Sequence, residues 1–355
     1  MTGKLHGIRV IDLSQFLPGP MLTLMMAEQG AEVIKVEPAA GDPARGQGPF
    51  VDGDSLWFAN LNRGKKSVAL DLKAEAGKAA LADLLRGADV LVEGFRPGVM
   101  ARLGFGWEAV QAINPRIVYC SISAFGQTGA LASHPAHDMA VQAMAGFLSV
   151  NGSPPVVPGV ASADVAAGLT ALSGILMALL GRERTGQGDY LDIAMFDSLL
   201  PWCAHTAGSA LAGGPALRPD NQRSLGGAAF YNVYETRDGR HIVLGGRELK
   251  FAQSLLTALG RPDLIPLAAA DAGAAQAPLV AFLRDSFRTR TREEWDKFMH
   301  DIDVAYAPVL DFAEALSAPH VAERGLRQGH HIAPAIRFAG DDWSPGPVPP
   351  LGGIA

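Results

Sequence analysis

The feature that most constrains the fold of this chain is a regular alternation of strand and helix patterns over its first 200 residues. Helical patterns such as MLTLMMAEQG and AGKAALADLLRGA separate short apolar strands, which are RVIDLS, AEVIKVEP, KSVALDL, DVLVEGF and RIVYCSISAFG. QGDYLDIAMF, which follows a long apolar helix, returns as one more strand. Strands that alternate with helices form βαβ units. The sequence therefore predicts an α/β fold built on a doubly wound parallel sheet.

The pattern changes after residue 200 and predicts a second, smaller unit. Residues 201–224 form a predicted linker that ends in the polar run GGPALRPDNQRS. A hairpin with its turn at Asp238-Gly239 and a helix from Leu249 follow it. Thr291 and Glu294 have the spacing of a capping box and begin another helix. We therefore assign 1–200 to the large domain, 225–310 to a small α+β domain and 311–355 to an arm that returns to the large domain.

Charge and cysteine content exclude several classes of protein. The formal net charge is −6, whereas nucleic-acid binding requires a concentrated basic surface. The two cysteines, Cys120 and Cys203, lie in apolar stretches, which indicates a reducing compartment without disulfides. The N-terminus lacks the pattern of a signal peptide, and the apolar run 165–181 contains Gly, Ser and Thr. We therefore expect a cytoplasmic protein with no membrane span, in which this run is a buried helix.

Missing motifs narrow the chemistry further. The chain has no Walker A run, no complete GxGxxG after its first strand, no HExxH and no CxxC pair. The histidines at 134, 137, 330 and 331 do not have the spacing of metal ligands. The sequence therefore predicts neither a metal site nor a separate cofactor. In a doubly wound sheet, ligands bind beyond the carboxyl ends of the strands, so the loops at 15–20, 37–46 and 94–97 are the candidate walls of the site.

His137 and Asp164 are the two side chains of this half best suited to acid–base or nucleophilic chemistry. They lie on either side of a Gly- and Pro-rich bend, and Asp164 begins the long apolar helix. An imidazole titrates near neutral pH, and a carboxylate can move a proton or attack a carbonyl. The structural interpretations are a helix N-cap for Asp164 and an ordinary loop histidine for His137. The same helix start could supply N–H donors to an oxyanion.

Further candidates lie in both predicted domains. Glu248 follows the strand HIVLGG in the small domain, where it can complement a helix dipole or, if the domains fold together, orient His137. Basic and amide side chains near the strand ends could hold phosphate groups by charge-assisted hydrogen bonds, although solvated charge is the usual explanation for them. These side chains are Lys35, Asn62, Arg63, Lys65, Arg96 and Arg102.

Several of these segments together resemble a known family. GIRVIDLSQFLPGP, LNRGKKSVALDLK, ADVLVEGFRPGVMARLGF, NPRIVYCSISAFGQTG and GDYLDIAMFDSLL are similar to the family III CoA-transferases, also named CaiB/BaiF, and to their racemase branch. The resemblance covers nearly the whole chain. It implies a Rossmann-like large domain, an acyl-CoA substrate that brings its own CoA, and two chains threaded together as an interlocked homodimer.

The resemblance also implies roles for individual residues. Transferases of this family use the aspartate that matches Asp164 to carry the acyl group as an anhydride and then CoA as a thioester. The racemases pair that aspartate with a histidine in an HD motif, here His137-Asp138, and add a glutamate, here Glu248. Because all three are present, we expect a racemase that inverts the α-carbon of a 2-methylacyl-CoA thioester by two-base proton transfer through an enolate. We expect Asp138 of this motif to belong with the CoA-binding residues.

Two alternatives to the racemase remain open. In the first, the chain is a CoA-transferase with Asp164 as nucleophile, and the DMAVQAMAG segment after His137 favours this interpretation. In the second, it binds acyl-CoA without catalysis and Asp164 only caps a helix. Two positions depart from the family pattern: Ala163 stands where Gly usually precedes the aspartate, and Pro38 where a basic residue often contacts CoA.

Overall fold

The computed structural model describes residues 3–340 and 343–354, and these divide into two compact units. The first unit contains the residues up to 145, residues 159–203 and the residues from 319 onward. The second contains residues 146–158 and 204–318.

Strands and helices alternate along most of the first unit, whereas the second unit consists mainly of helices around three strands. The strands are β1 (Arg9–Asp12), β2 (Glu32–Glu37), β3 (Phe50–Val51), β4 (Asp54–Ser55), β5 (Lys66–Ala69), β6 (Val90–Glu93), β7 (Val118–Ser123), β8 (Asp189–Ala194), β9 (Tyr231–Glu235), β10 (His241–Gly245), β11 (Tyr306–Pro308), β12 (Arg327–Gln328) and β13 (His331–Ile332). The helices are α1 (Pro18–Glu28), α2 (Leu56–Asn62), α3 (Glu75–Arg86), α4 (Val99–Leu103), α5 (Trp107–Ile113), α6 (Asp138–Met144), α7 (Ser162–Thr185), α8 (Met195–Trp202), α9 (Ala204–Leu211), α10 (Leu249–Ala258), α11 (Ile265–Ala268), α12 (Ala277–Phe287), α13 (Arg292–Met299), α14 (Phe312–Ser317) and α15 (Pro319–Glu323).

The centre of the first unit is a six-stranded sheet in the order β5-β2-β1-β6-β7-β8, and all of its strand pairs are parallel. This is the doubly wound strand order, in which the chain direction across the sheet reverses beside β1. The residues of β6 and nearly all those of β7 are buried, because helices cover both faces of such a sheet. The predicted α/β class and parallel central sheet are confirmed.

The long helix α7 packs against α1, α8 and the sheet. Gly168 permits its close approach to α1, because a Cβ at this position would lie 2.9 Å from the Pro18 carbonyl oxygen and 2.5 Å from Met21 Cε. By length and apolar composition α7 could also cross a membrane, a test that the core helices of soluble proteins pass as well. Its buried positions, among them Ala163, Ala167 and Ile175, lie in the interior of the first unit.

A cluster of ionised and polar side chains lies inside the first unit. Lys65 is buried and donates hydrogen bonds to Asp12 at 3.1 Å, Thr23 at 2.8 Å and Asn62 at 2.8 Å. Burial alone would raise the pKa of Asp12, but Lys65, Lys35 and two hydroxyl donors outweigh it and hold this pKa at about 2. Burial lowers the pKa of Lys65 to about 8. The cluster therefore neutralises its charges internally.

The second unit is a three-stranded antiparallel sheet, β11-β10-β9, covered by helices. Its core includes Phe287 and Trp295, whose rings pack 4.8 Å apart while the indole N–H donates to the Phe287 carbonyl at 2.7 Å. Thr291 and Glu294 form the predicted capping box at the start of α13. The sequence pattern predicts the β9–β10 hairpin but not β11, which is three residues long.

Three segments differ from the predicted boundaries. Residues 311–318, inside the predicted C-terminal arm, belong to the second unit. Residues 204–211, inside the predicted linker, form helix α9, since the apolar sequence there continues the helical pattern. Residues 146–158 belong with the second unit although they precede α7 in the chain. The C-terminal segment lies in the first unit, where Gly64 N–H donates to the Pro347 carbonyl and Ile354 N–H to the Ser67 carbonyl.

The buried ion pair makes a prediction about stability. Lys65→Met strands the Asp12 carboxylate in the interior and should lower the free energy of unfolding by about 3–5 kcal/mol in urea titrations. Lys66→Ala is the matched control, because the neighbouring lysine pairs with Glu32 at the surface and should have a much smaller effect. Equal losses in the two variants would contradict the account of the cluster.

Candidate active site

A cavity of about 550 Å³ opens at the carboxyl ends of β1, β6 and β7 in the first unit. Its walls come from the β1–α1 loop, the loop at 94–97, the end of β7, the segment around His137 and the first turn of α7. Two of the three loops predicted as walls therefore line it. The third loop, at 37–46, does not line the cavity. Its acidic side chains are engaged elsewhere, because Glu37 accepts hydrogen bonds from the Asp42 N–H and from Arg45, and Asp42 pairs with Lys35.

Asp164 lies at the third position of α7, half-buried in the wall of this cavity. Its carboxylate has no hydrogen-bond or ion-pair partner among the described residues. Burial raises the pKa of Asp164 to about 7, and the negative charge of Asp138 adds to this effect. A carboxylate that is free of partners and faces a cavity has the properties of a nucleophile or a base.

Asp138, rather than Asp164, caps the long helix. Its carboxylate accepts hydrogen bonds from the backbone N–H groups of Ala163 at 2.8 Å and Asp164 at 3.2 Å, and its second oxygen accepts from the Gln142 side chain at 2.5 Å. The interpretation of Asp164 as an N-cap is therefore wrong. The expectation that these N–H groups would stabilise an oxyanion also fails, because Asp138 already occupies both.

His137 immediately precedes helix α6 and lines the same cavity as Asp164. The side chain is exposed, and its ring lies edge-on to Phe16 with the ring centroids 6.3 Å apart. Since Asp138 binds the start of α7, the residue before it is held beside the turn that carries Asp164. The structure thus brings together two of the three residues predicted for catalysis.

Phe16 is a residue of this cavity that sequence analysis missed. Its φ of +63° lies in the left-handed region, which costs a bulky residue about 1–2 kcal/mol. The side chain is 40 % exposed and belongs to the cavity wall rather than to a core cluster. Nothing in the sequence indicates an unusual backbone angle at a phenylalanine, so no pattern could have identified it.

Ser123 and Glu93 also escaped the sequence analysis. Ser123 ends β7 in the cavity wall, and its hydroxyl is buried without a partner among the described residues. Glu93 is buried outside the cavity lining and accepts hydrogen bonds from Ser121 and from the Phe95 N–H. These bonds lower the pKa of Glu93, but burial outweighs them and raises it to about 7. Glu93 therefore supports the loop at 94–97 from beneath. Glu93 and Ser123 each end an apolar strand, and a polar residue at that position is the sequence signal that could have identified them.

The predicted phosphate-binding residues separate into two groups. The residues of the first group are buried and have partners inside the protein. Lys65 and Asn62 belong to the cluster around Asp12. Lys35 pairs with Asp42 and donates to the Ser14 carbonyl, and Arg63 pairs with Glu28 and donates to the Ile332 carbonyl. Arg63 Nε is buried without a partner among the described residues, but none of these four residues lines the cavity, so we assign them no ligand contact. Arg96 and Arg102 are exposed, with no side-chain hydrogen bond or ion pair among the described residues, and Arg96 lines the cavity.

Glu248 lies in the second unit. Its side chain is exposed, makes no capping hydrogen bond to α10 and lines a separate opening of about 420 Å³ with Arg247, Tyr231 and Ser224. The predicted pairing of Glu248 with His137 stays a prediction. No group of three or more histidine, cysteine or acidic side chains placed to hold a metal ion occurs within residues 3–340 and 343–354.

The capping role of Asp138 can be separated from its charge. Asp138→Ala should lower the free energy of unfolding by about 1 kcal/mol, because the N–H groups of α7 lose their acceptor. Asp138→Asn keeps a capping oxygen and should cost little, but it should lower the pKa of Asp164 by removing the neighbouring negative charge. Urea unfolding and a pH titration of Asp164 measure the two effects. If Asp138→Ala and Asp138→Asn are equally stable, Asp138 does not cap the helix.

Comparison with known proteins finds relatives that are named CoA-transferases. It is 38 % identical to an acetyl-CoA:oxalate CoA-transferase of Acetobacter aceti over 91 % of this chain and 85 % of that protein. It is 31 % identical to the human succinyl-CoA:glutarate CoA-transferase over 98 % of this chain and 83 % of that protein. These names match the transferase alternative rather than the racemase that we expected first.

The fold has matching solved structures as well. A CAIB/BAIF family protein from Brucella suis superposes with a TM-score of 0.88 at 31 % identity, covering 99 % of this chain and 97 % of that one. The family model described as CoA-transferase family III matches residues 5–338. The chain therefore belongs to CoA-transferase family III.

Proposed function

We propose that this protein transfers CoA between carboxylic acids and that Asp164 is the nucleophile. The observation that carries the proposal is the Asp164 carboxylate itself, which lies in a cavity wall without a hydrogen-bond partner among the described residues. An aspartate that served as a cap or an ion-pair partner would be occupied, whereas Asp138 performs the capping here. The non-catalytic alternative, in which Asp164 only caps a helix, loses its basis.

The reaction proceeds through two kinds of covalent intermediate. Ionised Asp164 attacks the thioester carbonyl of the donor, which forms a mixed anhydride and releases the CoA thiolate. The thiolate attacks the Asp164 carbonyl, which forms an aspartyl-CoA thioester and releases the donor acid as its carboxylate. The acceptor carboxylate repeats these steps in reverse, leaves as its own CoA thioester and restores the Asp164 carboxylate. No proton and no electron is gained or lost overall.

The raised pKa of Asp164 suits this chemistry. Burial destabilises the ionised carboxylate, and Asp138 adds a like charge, so the attacking oxygen is less strongly solvated than a surface carboxylate. Formation of the neutral anhydride and thioester removes the buried negative charge from Asp164. The environment that raises the pKa therefore favours both covalent intermediates over the starting carboxylate.

Arg96 and Arg102 are the proposed anchors for the phosphates of CoA. Both guanidinium groups are exposed, and neither has a protein partner among the described residues. Arg96 lies in the cavity wall, and Arg102 lies in the last turn of α4, six residues later in the chain. Charge-assisted hydrogen bonds to phosphate would supply binding energy remote from the reacting carbonyl.

The substrates proposed for the first trials are small carboxylic acids and their CoA thioesters. Oxalate and glutarate, which appear in the names of the relatives, are both dicarboxylic acids. Acetyl-CoA and succinyl-CoA are the corresponding donors to test. CoA enters as part of the substrate, so the proposal includes no separate cofactor.

Racemisation of a 2-methylacyl-CoA remains the second candidate. It is favoured by the presence of His137 and Asp164 in one cavity, since inversion needs an acid and a base on opposite faces of the α-carbon. The pairing of Glu248 with His137, the interlocked homodimer and the cytoplasmic location remain proposals from the sequence and its family resemblance.

The first prediction of the proposal is a covalent CoA adduct on Asp164. After incubation with acetyl-CoA or succinyl-CoA and acid quenching, intact-protein mass spectrometry should show the addition of CoA. Peptide mapping after borohydride or hydroxylamine treatment should place it at Asp164. Asp164→Asn should abolish the adduct because an amide is a poor nucleophile toward a thioester.

Two variants and one exchange experiment control this result. Asp197→Asn alters another first-turn aspartate of the same unit and should leave the adduct intact. His137→Ala should retain the adduct if His137 takes no part in transfer. If no adduct forms while α-deuterium from heavy water enters a 2-methylacyl-CoA, the protein is a racemase and the transferase proposal is wrong.

The pH dependence of adduct formation follows from the pKa of Asp164. Only the ionised carboxylate attacks, so the single-turnover rate should rise about tenfold per pH unit below about pH 7 and level off above it. Asp138→Asn should move the midpoint to lower pH. Quench-flow mass spectrometry over pH 5 to 9 measures both profiles, and a rate independent of pH over this range would show that Asp164 is ionised throughout.

A further inference from the structure

The β1–α1 loop holds Phe16 in an unfavourable conformation that its own packing does not explain. The backbone is left-handed at this residue, a region that bulky side chains rarely adopt. The ring belongs to no core cluster and remains 40 % exposed in the wall of the cavity. Strain of this kind, when it directs a side chain into a ligand cavity, is typical of functional sites.

The Phe16 ring and Asp164 line the same cavity. The ring meets the His137 imidazole edge-on, with centroids 6.3 Å apart. Pro18, two residues after Phe16, packs so tightly on α7 that a Cβ at Gly168 would lie 2.9 Å from the Pro18 carbonyl oxygen. Gly168 is one helical turn after Asp164. The loop that carries Phe16 is therefore packed against the helix that carries Asp164.

Two methionines in the wall are more adaptable than the Phe16 ring. Met139 and Met195 also line the cavity, and the flexible side chain of methionine adapts to ligands of many shapes. The Phe16 ring is rigid and sits on a backbone confined by Pro18 and the packing of α1. An acyl group bound beside Asp164 can displace a methionine side chain more readily than this ring.

We propose that Phe16 is a specificity-determining residue that restricts the acyl group at Asp164 to short, unbranched chains. The inference rests on the proposed function, because it presumes that the acyl carbonyl binds beside Asp164. The ring occupies the space that a longer chain, or a branch at the α-carbon, would need. The substrate class is thus short acyl-CoA thioesters, with 2-methylacyl groups excluded by size.

The test compares acyl-CoA donors of increasing size in the full-length protein and three variants. The donors are acetyl-CoA, butyryl-CoA, hexanoyl-CoA and 2-methylbutyryl-CoA, and the readout is the second-order rate constant for the CoA adduct on Asp164. Phe16→Gly removes the ring and accepts the left-handed backbone without strain, whereas Phe16→Leu keeps part of the bulk. Asp52→Gly is the matched control, because Asp52 is also left-handed but lies outside the cavity wall.

The expected result is a change of profile rather than a general loss. In the unaltered protein hexanoyl-CoA and 2-methylbutyryl-CoA should react at least about tenfold more slowly than acetyl-CoA, as steric selection by a pocket allows. Phe16→Gly should bring this ratio to within about threefold, with Phe16→Leu between the two. Asp52→Gly should keep the original ratio. An unchanged ratio in Phe16→Gly would overturn the inference.

A binding experiment separates failure of this inference from failure of the proposed function. Calorimetry with the Asp164→Asn protein measures the Kd of each acyl-CoA without any transfer. If no adduct forms with any donor but Asp164→Asn still binds acetyl-CoA at least about tenfold more tightly than hexanoyl-CoA, and Phe16→Gly abolishes that preference, the steric role stands and the transferase proposal falls. If the adduct forms and neither rates nor Kd values depend on Phe16, the transferase stands and this inference falls.

Discussion

The Asp138 carboxylate accepts hydrogen bonds from the first turn of α7, and the arrangement of the cavity depends on this contact. It joins helix α6, which begins with Asp138, to the helix that carries Asp164. It therefore places His137 and Asp164 in the same wall. Because Asp138 satisfies the backbone donors, the Asp164 carboxylate needs no capping role and remains free. The charge of Asp138 also contributes to the raised pKa of Asp164.

A second constraint is that buried lysines of the first unit are paired with buried aspartates. Lys35 and Lys65 are buried and paired with Asp42 and Asp12, and neither lines the cavity, so their charges are balanced inside the unit. The charges available to an anionic substrate are those without internal partners, of which Arg96 lines the cavity. This division explains how a protein with a net charge of −6 can still offer a local site for phosphate.

The sequence predicted the parallel sheet because alternating apolar strands and helices are local patterns that packing then reinforces. It also predicted that the loops after β1 and β6 would line a site, since the carboxyl ends of parallel strands meet at one edge. It could not predict that Asp138 caps α7, because the two partners are 26 residues apart in the chain and either aspartate fits the capping statistics. For the same reason the burial of Lys65 and the left-handed backbone of Phe16 were missed: tertiary contacts determine both.

The central claim is that Asp164 attacks a thioester carbonyl, and a crystal structure of the Asp164→Asn protein with acetyl-CoA tests it most directly. The account predicts that the thioester carbonyl carbon lies about 3–3.5 Å from the side chain at position 164, with the acetyl methyl group against the Phe16 ring. The account is contradicted if the carbonyl is turned away and the α-carbon lies between His137 and position 164, since that geometry serves proton transfer instead. It is equally contradicted if the acetyl group binds outside the cavity.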